Sequence, residues 1–426
     1  MIGGSAGNLV EWYDWFVYSS FAVYFAASFF PEGNVTGQLR NAAVIFAVGF
    51  FIRPVGGWLF GRFADRNGRR AALTLTVTLM SVSALLIAVA PSYDTAGYLG
   101  AAVLVVARVL QGLSVGGEYA ASATYLTEIA PRGRRGFVSS FQYVSMTAGQ
   151  LVALGLQLVL VNAMSEEALA SYGWRVPFVV GALGAVVVLL MRRTLLETDA
   201  YGEEREFGAE RERGRLRALC RHKKEVLLVI ALTMGGTVAY YACTSYLTGY
   251  LVDAAILTKE TASLVSFGTL LVFMCLQPLA GALSDRIGRR PLLIAFGVGA
   301  ALGTVPLMTA LPAVTGAGQA FLLSLTGLVV VTGYTSITAV VQAELFPTHV
   351  RALGIALPYA IAAALFGSTA ERVSRWFKGH GIESGFSWYV AGCAAVSLLV
   401  YLTMRETRDV PLSRQEKASN EIAARA

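Results

Sequence analysis

Two carboxylates stand inside an otherwise apolar stretch near the start of the chain, in the segment Glu11-Trp-Tyr-Asp14. If a helix begins near the first residue, Asp14 lies ~20 Å along it, which is mid-bilayer depth. Glu11 precedes Asp14 by three residues, so both lie on a similar face. A carboxylate in such a place can take up a proton on one side of a membrane and release it on the other. We therefore expect Asp14 and Glu11 to serve proton coupling, with a structural ion pair as the alternative.

Three arginines stand in, or at the edge of, other apolar stretches. Arg108 lies ~15 Å from one end of the fourth stretch, where it can pair with Asp14 or with an anionic substrate. Arg53 is followed by Pro54 and interrupts the second stretch; it is either a substrate cation or part of a gate at the adjacent face. Arg175 begins the sixth stretch and either contacts substrate or is a long cationic chain at the membrane interface.

Guanidinium groups bind carboxylates through paired hydrogen bonds, so two of these arginines would suit a dicarboxylate. Hydroxyl groups of Tyr241 and Thr335, from later stretches, can line a wet cavity and donate to carboxylate oxygens. Packing is the alternative role for an aromatic residue in an apolar stretch. Glu118 is expected to be a structural partner near the inner end of its helix.

The elements that must position these residues are apolar helices. The chain of 426 residues is 55% hydrophobic and only 14% charged, whereas soluble proteins carry about 25% charged residues. Its apolar runs extend toward the ~20 residues that a helix needs to cross a bilayer. The sequence predicts an all-α membrane protein with twelve transmembrane helices, near 1–29, 39–61, 71–90, 98–128, 137–161, 174–193, 225–250, 261–283, 291–311, 318–344, 353–377 and 386–404.

The basic residues are distributed unevenly among the loops. The net charge of +7 could suggest a nucleic-acid partner. Most of the Lys and Arg, however, fall in every second loop, as is typical of loops that stay in the cytoplasm. We expect a multi-pass protein of the bacterial inner membrane, with the lipid bilayer and not nucleic acid as its partner. An even number of helices places both termini in the cytoplasm.

Internal repeats divide the chain into two similar halves. The run Gly61–Arg70 recurs as Gly281–Arg290 at an offset of 220, and Glu128–Arg135 recurs as Glu344–Arg351 at an offset of 216. A weaker echo is Glu197-Thr198 with Glu406-Thr407. Each repeated motif follows the equivalent helix of its half. The predicted organisation is a six-helix bundle over 1–193, a linker over 194–224, a second bundle over 225–404 and a tail over 405–426.

The repeated motifs place charges at helix ends. Asp65 and Asp285 lie near helix C-termini, where the helix dipole disfavours a carboxylate, so each needs a cationic partner nearby. A charge network that forms in one conformation and breaks in another can act as a gate. The alternative is that the basic residues only set the topology. We expect the gate to consist of Asp65, Arg69, Arg70, Glu128, Arg135, Asp285, Arg289, Arg290, Glu344 and Arg351.

The segments Gly7-Asn-Leu-Val-Glu11-Trp-Tyr-Asp14, Arg53-Pro-Val-Gly-Gly57 and Gln111-Gly-Leu-Ser-Val-Gly-Gly-Glu118-Tyr119 resemble the metabolite–proton symporters of the major facilitator superfamily. This resemblance implies the major facilitator fold and import of a small metabolite with a proton by alternating access. It also implies that Tyr13-Asp14 and Arg108 match the positions that couple proton to substrate in sugar–proton symporters. Further similarity in 140–150 and 350–371 favours an α-ketoglutarate-transporting branch over the proline/betaine branch.

Alternative functions stay open at this point. The same fold could carry citrate or tricarballylate, shikimate or a zwitterionic osmolyte, or could serve as a nutrient receptor. An enzyme is disfavoured because no nucleophile–base motif, nucleotide fingerprint or metal-ligand cluster occurs in the sequence. The four cysteines show no CxxC spacing, so neither a metal nor a disulfide is expected. The expected partners are a small anionic metabolite and a proton, with no cofactor, and the protein is expected to be monomeric.

Overall fold

A computed structural model describes residues 2–30, 34–207, 213–254, 256–382 and 384–412. Twelve long helices account for most of these residues, and short helices lie between some of them, as at Tyr93–Ala96 and Asp199–Phe207. The first six long helices are α1 (Ile2–Phe29), α2 (Val35–Asn67), α3 (Arg69–Val89), α4 (Leu99–Glu128), α5 (Arg135–Ala163) and α6 (Arg175–Arg192).

The second six helices repeat this order with three interruptions. They are α7 (Lys223–Tyr241, continued by Leu247–Asp253), α8 (Lys259–Ile287), α9 (Arg289–Thr309), α10 (Ala317–Thr335, continued by Thr338–Leu345), α11 (Arg351–Ala362, continued by Ser368–Gly379) and α12 (Ser384–Thr403). One-turn π-helices, Ala242–Tyr246 and Ala363–Gly367, join the two parts of α7 and of α11. Such bulges often occur at functional sites.

Eleven helical segments in the described part of the chain are long and apolar enough to cross a membrane, and α1 adds a helix of 28 residues. The outer surface of the bundle carries large apolar side chains: Leu302 is 73% exposed, Leu279 66% and Leu227 65%. Lipid is the solvent that suits such a surface. The prediction of an all-α membrane protein with twelve helices is confirmed.

Helix boundaries differ from the prediction where polar residues extend an apolar core. We predicted the second helix over 39–61, whereas α2 runs from Val35 to Asn67. At its start, the side chain of Asn34 accepts a hydrogen bond from the Gly37 amide, as an N-cap residue does. At its end, Gly68 adopts φ 100° and ψ 158°. Apolar runs marked the membrane-embedded part, but the helix itself continues until a residue that leaves helical geometry.

The two halves meet along two equivalent helix pairs, α2 with α11 and α5 with α8. Close approach requires glycine there: a Cβ atom on Gly281 of α8 would lie 2.5 Å from the carbonyl oxygen of Gly136 of α5. The loops that carry the repeated motifs lie at one end of the bundle, which we call the basic face. Linker residues 194–207 and 213–222 lie on this face, where Tyr201 donates to the Arg66 carbonyl (2.7 Å) and the Gly214 amide donates to the His349 carbonyl (3.0 Å).

The α2–α3 turn gives a test of backbone geometry. Gly68 lies in a φ/ψ region that is almost restricted to glycine, where other residues cost about 1–3 kcal/mol. A Cβ atom there would also collide with the Glu197 carboxylate. We expect Gly68→Ala to lower the thermal unfolding temperature in detergent by more than Gly97→Ala does. Gly97 also has a positive φ, but its Cβ would meet no atom within 4 Å. Equal losses in the two variants would show that contact with Glu197 contributes nothing.

Candidate functional site

Two buried arginines lie against one indole ring in the first half. The guanidinium carbon of Arg53 is 4.0 Å from the centroid of Trp15, and that of Arg108 is 4.3 Å from it. Phe50 packs edge-on against Trp15 at 4.7 Å, and Phe46 lies 4.8 Å from it. The same two phenylalanines lie under Arg53 and Arg108 respectively. α1, α2 and α4 thus place two cations in an aromatic box.

These cations lack the partners that buried charges usually have. Arg53 is 4% exposed and Arg108 is fully buried. The Nε and Nη2 atoms of both residues have no hydrogen-bond partner in the described part of the chain, whereas Arg108 Nη1 donates to Gln111 Oε1 at 2.5 Å. Cation–π contact offsets only part of the cost of burying a charge. The box therefore presents cationic donor atoms that have no acceptor in the described part of the chain.

Asp14 lies beside the aromatic box but forms no hydrogen bond with the residues of the box. It is fully buried, and neither of its carboxylate oxygens has a hydrogen-bond partner among the residues that the structure describes. Arg108 acts on it electrostatically. The structure thus places Asp14 within electrostatic reach of Arg108, as the sequence suggested, without a hydrogen bond between the two side chains.

Glu11 lies in a separate polar cluster toward the basic face. Its Oε1 is 2.5 Å from Ser114 Oγ. Next to it, Glu118 forms an ion pair with Arg192, the last residue of α6. Glu118 is the structural partner that we expected, and Arg192 was missed because it stands at the edge of an apolar stretch among linker residues.

The second half contributes aromatic hydroxyls to the site. The phenol groups of Tyr241 and Tyr359 both interact electrostatically with the Arg53 guanidinium. Tyr359 also stacks on Tyr119 of α4, with centroids 3.7 Å apart and planes inclined by 4°. This stack joins the two halves. It lies on the side of Arg53 toward the basic face, where α4 ends. Trp15 and the Tyr119–Tyr359 stack were missed, because an aromatic residue in an apolar helix gives no separate signal in the sequence.

Two expected substrate residues lie elsewhere. Arg175 Nη1 donates to the carbonyls of Ala88 (2.7 Å) and Ala90 (2.8 Å) at the end of α3, and its guanidinium lies over Trp174. Arg175 thus caps a helix C-terminus at the face opposite the basic face. Thr335 donates to Gln277 Oε1 at 3.0 Å within the second half. The structure does not bring either residue to the aromatic box.

A cavity of about 220 Å³ lies between the halves, on the side away from the basic face. Phe16 borders it and is the neighbour of Trp15 in the chain. The side chains of this cavity are mostly small and hydroxylated. They include Ser20, Thr244, Ser245, Thr248, Ser263, Ser266, Thr269 and Ser324.

At the basic face, each repeated aspartate binds the start of a helix in the other half. Asp65 accepts hydrogen bonds from the amides of Ala352 (3.1 Å) and Leu353 (3.0 Å), in the first turn of α11. Asp285 accepts from the amides of Gly136 (2.8 Å) and Phe137 (2.9 Å), in the first turn of α5. Each carboxylate stands at the C-terminus of its own helix, but it faces the positive end of another helix dipole.

Ion pairs surround these caps. Arg69 lies 3.4 Å from Asp65 and 3.2 Å from Glu128, and Arg351 of the other half lies 2.6 Å from Glu128. In the second repeat, Arg289 lies 2.8 Å from Asp285 and 3.5 Å from Glu344.

The remaining predicted gate residues bind backbone groups. Arg135 donates to the Val410 carbonyl at 2.7 Å. Arg70 donates to the Arg193 carbonyl, and Arg290 donates to the carbonyls of Tyr401 and Leu402. These last contacts lie within one half each, so they hold the ends of neighbouring helices together and do not join the halves.

Two further glutamates complete the repeated turns. Glu197 accepts from the amides of Arg69 (3.0 Å) and Arg70 (3.2 Å). Glu406 accepts from the amides of Arg289 (2.8 Å) and Arg290 (3.0 Å). Partial desolvation opposes ionisation of Glu406, but these amides and those of Arg408 and Thr407 outweigh it and hold its pKa below the ordinary value. The Glu-Thr echo in the sequence was the signal for this role.

The fold defines the architecture of a membrane transporter, with two six-helix halves and a pair of buried arginines in the first half. The sequence pattern of the Major Facilitator Superfamily matches residues 5–370. Among solved structures, the proton:xylose symporter XylE bound to 6-bromo-6-deoxy-D-glucose superposes with a TM-score of 0.81 at 20% identity, covering 98% of each chain. The chain belongs to the major facilitator superfamily.

Several relatives are similar over nearly the whole chain. The alpha-ketoglutarate permease of Escherichia coli K12 is 47% identical over 404 residues, which are 95% of this chain and 93% of the permease. The citrate-proton symporter of Salmonella typhi is 31% identical, covering 94% of this chain and 92% of the symporter. The proline/betaine transporter of Escherichia coli K12 is 30% identical, covering 98% of this chain and 85% of the transporter. These relatives are transporters and not enzymes.

The aspartate caps at the basic face can be tested by labelling. In Asp65→Asn, one amide of α11 loses its acceptor and the charge is removed, at a cost of about 0.5–2 kcal/mol. We expect a water-soluble maleimide to label Ser140→Cys, buried between α5 and α8, several-fold faster in Asp65→Asn than in the parent. The background should have the four native cysteines replaced by serine. Asp94→Asn, an exposed acid distant from the basic face, is the matched control. An unchanged labelling rate would remove Asp65 from the closure of this face.

Proposed function

We propose that this protein is a proton-coupled symporter that imports a small dicarboxylate, α-ketoglutarate, by alternating access. The observation that carries the proposal is the pair of buried arginines on Trp15, whose free donor atoms match two carboxylates. The substrate named for the relative with 47% identity is in agreement with this site.

The geometry of the box favours a short dianion. Because both guanidinium carbons are measured from one ring centroid, their separation cannot exceed the sum of 4.0 and 4.3 Å. A five-carbon dicarboxylate can place one carboxylate on each guanidinium across such a distance. A zwitterionic osmolyte would bring a positive group toward two buried cations, which is unfavourable at this spacing. The site therefore supports a dicarboxylate over a proline- or betaine-type substrate.

Alternating access follows from the contacts between the halves. By the distribution of basic residues, we place the basic face and both termini in the cytoplasm of a bacterial inner membrane. The aspartate caps, their ion pairs and the Tyr119–Tyr359 stack then close the path to the cytoplasm. The hydroxyl-lined cavity is the entry side. Since the two halves of one chain complete the site, the transporting unit is a monomer.

Proton coupling rests on Asp14 in this proposal. A substrate carboxylate that binds Arg108 removes the cation that stabilises an ionised Asp14, so protonation of Asp14 and binding of the dianion favour each other. Both are released when the site opens to the cytoplasm. Asp65, Glu128 and their partners at the basic face are the gate that must open for this release.

Asp14→Asn should abolish α-ketoglutarate accumulation driven by an imposed pH gradient, because an amide does not bind and release a proton in this pH range. Exchange of labelled for unlabelled substrate should persist, since it requires no net proton movement. Uptake into proteoliposomes measures both activities, with Asp94→Asn as control. Gradient-driven accumulation at the parental level would rule out Asp14 as the proton site.

Arg108→Lys and Arg53→Lys should each weaken α-ketoglutarate binding by about 1.5–3 kcal/mol, the contribution of one hydrogen bond to a charged group, because lysine keeps the charge but lacks the planar fork. Both variants should also lose the preference for a dicarboxylate over a monocarboxylate. Isothermal titration of purified protein gives the dissociation constants. Arg175→Lys, whose guanidinium caps α3, is the matched control and should bind like the parent. Parental affinity in both box variants would assign these arginines to packing.

The proposed function as a whole is tested by transport in proteoliposomes. Labelled α-ketoglutarate, citrate and proline are compared under an imposed pH gradient, acidic outside. The proposal expects accumulation of α-ketoglutarate above its external concentration and collapse on addition of a protonophore. Accumulation of proline in preference to α-ketoglutarate, or uptake unaffected by the protonophore, would contradict it.

A further inference from the structure

The hydrogen bonds of Ser114 allow Glu11 to be held in either protonation state. Ser114 Oγ lies 2.5 Å from Glu11 Oε1 and 2.8 Å from the carbonyl oxygen of Thr76. A serine hydroxyl has one proton to donate, while a carbonyl and an ionised carboxylate can only accept. If Glu11 is protonated, it donates to Ser114, which then donates to the Thr76 carbonyl. If Glu11 is ionised, Ser114 donates to it and can share the same proton with the Thr76 carbonyl.

The neighbouring acid has a partner of its own. Glu118 accepts hydrogen bonds from both Nη atoms of Arg192, so its charge is paired. The charged groups that act on Glu11 are Glu118 of α4, Arg192 of α6 and Arg53 of α2. α5 has no charged residue after Arg135, and the nearest acid on α1 is Asp14. With Arg192 committed to Glu118, the cation available to an ionised Glu11 is Arg53.

In the second half, the equivalent place is filled without charged residues, so packing of the fold does not require the Glu118–Arg192 ion pair. Thr76 corresponds to Phe296 by the offset of 220, Glu118 to Tyr334 by the offset of 216, and Arg192 to Tyr401 by the offset between Glu197 and Glu406. Phe296 lies 5.4 Å from Tyr334 and 6.2 Å from Tyr401 by ring centroids. A glycine packs against each cluster. Gly7 packs against Arg192 and Glu118, and Gly236 packs against Tyr334. Aromatic side chains therefore fill the same place in the half that lacks the acid and the arginines of the box.

From these observations we propose that Glu11 is a second proton-binding site, separate from Asp14, and that two protons accompany each substrate dianion. This inference rests on the proposed symport function. Each arginine of the box pairs either with one acid of α1 or with one substrate carboxylate. Arg108 is the cation for Asp14, and Arg53 is the cation for Glu11. Ser114 is the positioning residue, because its hydroxyl can accept from protonated Glu11 or donate to ionised Glu11.

The charge balance follows directly. When the dianion binds, its carboxylates neutralise Arg53 and Arg108, and each acid loses its counter-ion. One proton then binds the Glu11 carboxylate and one binds the Asp14 carboxylate, so the loaded protein carries the substrate with no net change of charge. Release on the other side returns both protons and the dianion. Glu118 and Arg192 keep their charges throughout. Transport is therefore electroneutral.

Proton stoichiometry in proteoliposomes tests this proposal, at a pH where α-ketoglutarate is a dianion. With the membrane potential clamped at zero, a tenfold proton gradient should drive an accumulation of about a hundredfold for two protons and about tenfold for one. The wild type should follow the two-proton value, and an inside-negative potential should not change it. Glu11→Gln should follow the one-proton value and should be opposed by an inside-negative potential. Glutamine can still donate to Ser114, so this variant retains the hydrogen bond seen in the structure.

Controls separate the outcomes. Glu167→Gln changes an exposed acid on the opposite face and should behave as the wild type does. Exchange of labelled substrate reports folding of each variant. A one-proton value for the wild type, or an unchanged two-proton value for Glu11→Gln, overturns the second proton site. If Glu11→Gln does not exchange substrate, the wild-type stoichiometry alone decides. Absence of any proton dependence in the wild type would instead refute the proposed symport function.

Discussion

Two guanidinium groups buried against one indole ring, without carboxylate partners, are the constraint on which the rest of the site depends. A buried cation is tolerated when aromatic faces surround it, but it is fully compensated only by an anion. Trp15, Phe46 and Phe50 supply those faces, and they come from α1 and α2, whose packing on α4 brings Arg53 and Arg108 to the same ring. The acids of α1 complete the arrangement, because they can neutralise the arginines when ionised or release them when protonated. Competition for two cations is thus a sufficient physical basis for coupling substrate to protons.

A second electrostatic interaction joins the halves at the basic face, where an aspartate of each half caps a helix of the other half. Each repeated aspartate ends a helix in one half and caps a helix in the other, so contact between the halves adds two amide donors to the arginine that each aspartate has in its own half. Separation of the halves would leave four backbone amides and two carboxylates to be solvated. That cost is modest for groups near water, as a gate that must open in each transport cycle requires.

The sequence was sufficient to predict the features that depend on local patterns. Apolar runs predicted the twelve helices, and the offsets of 220 and 216 predicted two similar halves. Isolated charges in apolar stretches drew attention to Asp14, Arg53 and Arg108, which lie buried in the first half. What it could not predict depends on how distant segments dock: the capping of α11 by Asp65, the stack of Tyr119 on Tyr359 and the place of Trp15 between two arginines. Arg175 illustrates the same limit, since only the position of the α3 C-terminus distinguishes a helix cap from a substrate ligand.

The central claim is that one dianion bridges Arg53 and Arg108 across Trp15. A cryo-electron microscopy structure of the protein with α-ketoglutarate bound tests it most directly. The account predicts one carboxylate on each guanidinium, with the nitrogen atoms that now lack partners serving as donors. Substrate held in the hydroxyl-lined cavity, with both arginines still on the aromatic faces and without an anion, would contradict it.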